Sequence, residues 1–439
     1  MRSSAWTRAR VLGMGAAVAA LAVGPATAAD DSVESELRQM REIVMKLQDQ
    51  VDQQQSRIEE QNSVIRGAGL EERSSLSALA SFLEKTDFSG SIATSYFYNT
   101  DTPGSGPGGP VGSNGANSVA GMNPFHPDHN SIQLDQVWLS MSRSTSDESP
   151  VGFGIDLVYG ATAEVLGTGF VGNGNALYVG QAYLEYENSG IKLTAGKFFT
   201  HIGYEVVDTT KNINITRGFT FNGMQPFDQI GVKLSGEAGG LSWMVGAVNG
   251  IAPNQADVDG IKDFIWQLGY GTDMVTVLFN GEYGGDAETF GGGVKDNAYI
   301  LNGVVEITPS DALLAYADIT YNRVDFNPNN AAAKDVKALG IAVGARAGVT
   351  DRLGLGGRFE WASIEDDLGG VHPLSGATGG PNTELLSTTG TIDFLVVDGL
   401  TARAEIQWQK VLTTTGLKRI FDDFEDDQLI VGAQLFYAF

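Results

Sequence analysis

The side chains able to do chemistry in this 439-residue chain are charges set at every second position of otherwise apolar stretches. Asp156 stands between Ile155 and Leu157, Glu185 between Leu184 and Tyr186, and Lys233 between Val232 and Leu234. Lys192, Glu282, Glu306, Asp318, Arg346, Arg358, Glu360, Arg403 and Glu405 hold equivalent places. Neighbouring residues of an extended strand point to opposite faces, so each charge lies opposite an apolar face. Charges of both signs can stay hydrated if that face lines a wide aqueous lumen. Arg346, Arg358 and Arg403 then form either part of a basic ladder or cross-strand pairs with Glu360 and Glu405, and both readings put them in a pore lining.

Catalysis has no comparable footing. The absence of Cys excludes disulfides, thiolate zinc sites and c-type haem attachment. Of the four His, His126 and His129 flank Asp128 in a Gly- and Pro-rich stretch whose spacing makes a poor metal set, and His201 and His372 stand apart. No Gly-x-Ser-x-Gly context suggests a nucleophile elbow. No catalytic residue, metal or cofactor is expected, and 53 acidic against 28 basic residues disfavour nucleic acid as a partner.

The elements that must position these charges are strands. From Asp87 onward, period-two stretches of about ten residues alternate with turn-forming sequence, the signature of a transmembrane antiparallel β-barrel. Short separators fall at 144–150, 188–190, 237–240, 271–273, 308–311, 350–352 and 397–399. Long ones fall at 100–130, 160–175, 200–227, 250–262, 284–297, 322–335, 362–383 and 410–426. Seven turns and eight loops predict an all-β barrel of about sixteen strands over residues 87–439. Outward faces such as Leu339, Ile341, Val343, Ala345 and Ala347 are expected to meet outer-membrane lipid. In the last stretch, Leu429, Val431, Ala433, Leu435, Tyr437 and Phe439 share one face, as expected of the strand that closes a barrel.

The other end of the chain has a different grammar. Arg2, Arg8 and Arg10 precede an apolar run and the small-residue site Ala26-Thr27-Ala28, which predicts a secretory signal over 1–28. From Val33 to Ile65 the series Val33, Leu37, Met40, Val44, Leu47, Val51, Gln54, Ile58, Gln61, Ile65 steps by four and three, predicting a periplasmic coiled coil over 29–66. Residues 67–86 read as a linker with a short helix. The heptads lead us to expect a homotrimer, and the arm has the reach for contact with the cell wall.

Residues 196–227 are the most distinctive stretch. Gly196-Lys197-Phe198 leads into Gly203 and Glu205 and then Asn212, Asn214, Thr216 and Arg217. With these motifs the chain resembles the OmpL-like family of outer-membrane β-barrel porins over most of 87–439. The resemblance implies a porin allowing passive diffusion of small hydrophilic solutes or ions. By analogy with porins whose third external loop folds inward, Glu205, Asp208, Lys211 and Arg217 are expected to narrow the channel. Rival expectations are a phosphate- or sugar-selective porin, and a structural tether between outer membrane and cell wall.

Overall fold

A computed structural model describes residues 82–100, 123–126, 129–168, 177–250, 262–284, 297–325, 335–366, 382–414 and 426–439, together with 372, 374, 80 and scattered positions between 42 and 57. The strands are β1 (Asp87–Asn99), β2 (Ser131–Arg143), β3 (Val151–Tyr159), β4 (Tyr178–Asn188), β5 (Ile191–Phe199), β6 (Asp228–Ala238), β7 (Leu241–Val248) and β8 (Asp263–Gly271). They continue with β9 (Val275–Gly284), β10 (Asn297–Ser310), β11 (Leu313–Asp325), β12 (Val336–Gly348), β13 (Leu353–Asp366), β14 (Asn382–Val397), β15 (Leu400–Thr414) and β16 (Asp427–Ala438). Each pairs with its neighbours in sequence, and β16 returns to β1 to close an antiparallel barrel. The seam is secured at the end of the chain: Phe439 N donates to Gly90 O and Gly90 N to Phe439 O, both at 2.9 Å.

Closure removes the free edges that an open sheet would expose. The outward face carries Leu184, Phe279, Ile319, Ile406 and Leu435, all exposed, as a lipid-facing surface requires. The inward face carries buried Gln136, Asn280, Asn302, Thr320, Ser387 and Gln407. Some of these side chains pair across strands: Asn280 Nδ2 donates to Asn302 Oδ1 at 2.7 Å, and Asn302 Nδ2 donates to Asp318 Oδ1 at 2.6 Å. Two of the short turns place consecutive residues at positive φ, Ser189 with Gly190 and Gly239 with Gly240. That mirror-image turn matches the twist of the strands it joins.

Three features depart from the sequence expectation. The strands are longer than ten residues on one side of the barrel, so β11, β13 and β15 run on to Asp325, Asp366 and Thr414, past the predicted strand ends. Their ladders continue because each has a neighbour to pair with: Val324 opposes Val336, and Asp366 opposes that same Val336 from β13. The second long connection contains a helix, α1 (Ala161–Thr168), whose Ala163, Val165 and Leu166 are buried with Trp138 and Val158. Finally, the lumen is not polar throughout, because Ala338, Ala362, Ile364, Leu385 and Val411 form an apolar patch on its inner wall.

The chain divides into two units, Met1–Phe82 and Leu83–Phe439. The predicted signal lies outside the described residues, and so do the seam positions except Gln54; the arm residues that are described are helical.

Candidate functional site

The site is built around the third long connection, residues 200–227, which enters from β5 and leaves into β6. Its two ends are tied at the base. Thr200 N donates to Phe227 O at 3.1 Å, Lys197 Nζ lies 3.4 Å from Asp228, and Tyr178 Oη donates to the same carboxylate at 2.6 Å. The loop then turns inward and binds the wall at successive points. Gly203 N donates to Asn302 of β10, Tyr204 N to Asp318 of β11, and Tyr204 stacks on Tyr316 at 3.6 Å between centroids.

On the opposite wall, Gln136 of β2 donates to Asp208 Oδ1 at 2.8 Å. Asp208 also caps a 3-10 turn over Thr209–Lys211 by accepting from Thr210 N at 3.0 Å. Arg403 Nη1 of β15 donates to Thr209 O at 3.0 Å. The Asn-x-Asn-x-Thr-Arg run explains itself here. Asn212 accepts from Val206 N and donates to Val206 O, holding the loop against itself as a backbone segment would. Asn214 donates to Thr391 of β14 at 2.7 Å, and Thr216 donates through N and Oγ1 to Glu405 of β15. The return limb is a second helix, α2 (Phe219–Met224), seated on the apolar wall patch with Leu374 above it.

A buried charge group locks the middle. Arg358 Nη1 donates to Glu205 Oε1 at 2.5 Å and to Thr216 O at 2.7 Å, while its Nε lies 3.1 Å from Glu360 in a close but poorly aligned ion contact. Glu205 also accepts from Gly218 N at 2.6 Å. A Cβ on Gly218 would overlap the Glu360 carboxylate, so the loop can pass this close only as glycine. Arg217 stacks over the Phe125 ring at 4.1 Å and donates to the carbonyls of Val206 and Val207. Burial pushes its guanidinium down to about 10.

These positions sort the predicted residues. Glu205, Asp208 and Arg217 are buried between loop and wall, and only Lys211 of the four extends into open space. Arg217 in particular is a buried staple rather than a charge on a channel surface, because the Phe125 and Phe221 rings and two strap carbonyls enclose it. On the wall, Glu282, Asp318, Arg358, Glu360, Arg403 and Glu405 point inward but are buried. Asp156, Glu185, Lys192, Lys233, Glu306 and Arg346 are half-exposed. Of the two readings left open for the arginines, a basic ladder or pairs with Glu360 and Glu405, only part of the second is seen: Glu360 meets Arg358, but Glu405 accepts from Ile215, Thr216 and Thr391, and Arg346 and Arg403 share Asp393.

Asp393 is therefore a site residue that the sequence reading passed over, as are Gln136 and Asp135. Alternation can place Asp393 and Gln136 on the inward face, but Asp135, adjacent to Gln136, is buried with it only because the β1–β2 ladder shifts register at this point. Asp135 gathers Ser95, Gln133 and Gln434. His126 lies 3.9 Å from Asp135 and is fully covered, which lowers its pKa to about 4. His129 accepts from Asn99 N through Nδ1 at 3.0 Å. Among the described residues no group of three or more His, Asp or Glu could hold a metal ion.

An antiparallel barrel with a lipid-type exterior, a polar interior and a long loop bonded inside it is the architecture of an outer-membrane channel. The chain belongs to the family described as "Putative beta-barrel porin-2, OmpL-like", whose profile matches residues 85–439. Among solved structures, it is similar to OmpT of Vibrio cholerae, with 13% identity, 81% of this chain and 97% of that chain covered, and a TM-score of 0.51. The outer-membrane channel DcaP of Acinetobacter baumannii gives 15% identity, 81% and 97% coverage and a TM-score of 0.50. OprB of Pseudomonas putida gives 13%, 82% and 96%, and 0.50. No curated protein sequence matches.

Proposed function

We propose that the protein is an outer-membrane porin through which small hydrophilic solutes or ions diffuse passively, with the third long loop narrowing the passage. The observation that carries this reading is a closed barrel of porin family crossed by a strap bonded to β2, β10, β11, β13, β14 and β15. Lys211 on the strap and the half-exposed Asp156, Glu185, Lys192, Lys233, Glu306 and Arg346 on the wall set the charge of the path, while the buried charges hold the strap. Solutes are sorted by width and by this mixed lining.

In this reading residues 1–28 are removed on export, 29–66 form a periplasmic coiled coil, and 67–86 link it to the barrel. The heptad arm supports a homotrimer and supplies the reach for cell-wall contact. Reconstitution of the full-length protein in planar bilayers tests the channel: discrete conductance steps in KCl are expected. A folded, membrane-inserted protein that gives none removes the porin reading. Liposome swelling with neutral sugars, amino acids and anions then ranks the solutes.

A further inference from the structure

The end of the lumen that carries the short turns contains a cavity of about 660 Å³ against the strap, reached by Thr210 and walled by Arg346, Arg403, Asp393, Leu395 and Phe436. Its construction is unusual for a pore wall. Arg346 on β12 and Asp393 on β14 are separated by β13, where Gly356 opposes Arg346 and Gly354 opposes Asp393. Both glycines take inward positions: a Cβ on Gly354 would come within 2.7 Å of Arg346 Nη2, so the trough that holds the arginine is at Gly354, while Gly356 lies under Ile213 of the strap. The arginine lies across this trough, and its Nε donates to Asp393 Oδ2 at 2.9 Å. Arg403 approaches the other oxygen, Nε to Oδ1, at 3.0 Å.

One carboxylate thus meets two guanidiniums, so this trio carries one positive charge, and Arg352 in the same lining offsets one of the two turn carboxylates, Asp311 and Asp351. Arg403 has little left to offer: its Nη1 donates to Thr209 O, its plane lies over Phe436, and its side chain is 6% exposed. Arg346 differs, with a side chain 42% exposed and no acceptor for its Nη groups among the described residues. Arg346 lines the cavity, and a guanidinium whose Nη groups are uncommitted can hold a carboxylate in two parallel hydrogen bonds. Leu353, Leu395 and Phe436 give the same cavity an apolar side. Asp311 and Asp351 join its lining from the turns and disfavour ligands of higher negative charge.

We propose that this cavity is a binding station for small organic monocarboxylates, with the carboxylate on the Nη edge of Arg346 and the apolar part against Leu395 and Phe436. The station's place in solute passage rests on the porin reading; the binding site itself rests on the cavity and Arg346. Asp393 is its positioning residue, because it fixes the guanidinium across the glycine trough.

The test compares three ligands of one shape, benzoate, benzyl alcohol and benzylamine, with inorganic phosphate added, titrated calorimetrically into the detergent-solubilised full-length protein. Benzoate is expected to bind at least about tenfold more tightly than the alcohol or the amine, the step of about 1.4 kcal/mol that a charge-assisted pair can supply. Arg346→Gln should remove that preference, and Arg346→Lys, which keeps the charge but not the fork, should retain only part of it. Folding of each variant is read from the heat-modifiable band in detergent gels. Equal binding of alcohol and benzoate, phosphate binding as tight as benzoate, or a folded Arg346→Gln protein with unchanged affinity each overturns the proposal. Wild-type conductance in KCl separates the two readings: conduction without benzoate preference removes the station, and benzoate binding without conduction removes the passage and leaves an isolated site.

Discussion

Single residues in this barrel act through what they are forced against. Gly218 lies where a side chain would enter the Glu360 carboxylate, itself held by Arg358 and by Thr220 Oγ1 at 3.3 Å. Gly218→Ala therefore overpacks a site that cannot yield without separating buried charges, a cost of about 1–3 kcal/mol. The expected outcome is a lower temperature for loss of the folded band in detergent gels, with noisier open-channel current as the strap loosens. His126 gives a pH effect of definite sign. It is covered by Phe97 and the strap, with Asp135 and Arg217 as its charged neighbours, and burial lowers its pKa from 6.5 to about 4. Between those values the unfolded chain takes up a proton that the folded protein refuses, so stability falls as pH drops from about 6.5 to 4. His126→Gln should flatten that part of the profile, measured as folded-band melting at pH 7 and pH 4.5; an unchanged acid slope would remove His126 from the account.

At the scale of elements, the strap and the closing seam make separate claims. Deleting 208–218 removes the 3-10 turn, the Asn-x-Asn-x-Thr-Arg run and their bonds to Gln136, Thr391 and Glu405, while the ends tied by Lys197 and Asp228 stay in place. The folded variant should conduct more than wild type in single-channel records. Unchanged conductance would mean that the strap stands clear of the path. Phe439 makes the last pair of seam bonds with Gly90 and stacks near Tyr437 at 5.9 Å. Its removal leaves backbone groups of β1 unpaired at the barrel's closure, and most of the heat-modifiable folded form should be lost.

For the whole molecule, the open matter is how copies assemble. The proposed coiled coil carries a heptad series from Val33 to Ile65 that an isolated barrel would not need, with Gln54 and Gln61 at positions where apolar residues would pack better, as in coiled coils that specify strand number. We expect a trimer by light-scattering mass of the solubilised full-length protein, and a change of mass on deletion of 30–69. A full-length monomer would end that reading, whereas a trimer that survives the deletion would assign assembly to the barrels.

What the sequence determined by itself is what depends on neighbours along the chain. Side-chain direction alternates residue by residue, so the strands, their faces and their number were legible, and so were the turns at 188–190, 237–240 and 397–399, where Gly190, Gly239, Gly240 and Gly399 adopt positive φ. Inward charges such as Asp318 and Arg358 were placed on the correct face for the same reason. Their partners were not legible. Arg358 meets Glu205 across 153 residues of chain, Glu405 bonds backbone of a loop that carries no pairing motif for it, and Asp393 is reached by Arg346 across β13 because Gly354 leaves room there. The apolar wall patch beneath α2 broke the alternation rule because a loop, rather than water, covers it. Only closure of the barrel brings these groups together, and the period-two pattern specifies which face a residue joins without specifying what lies opposite.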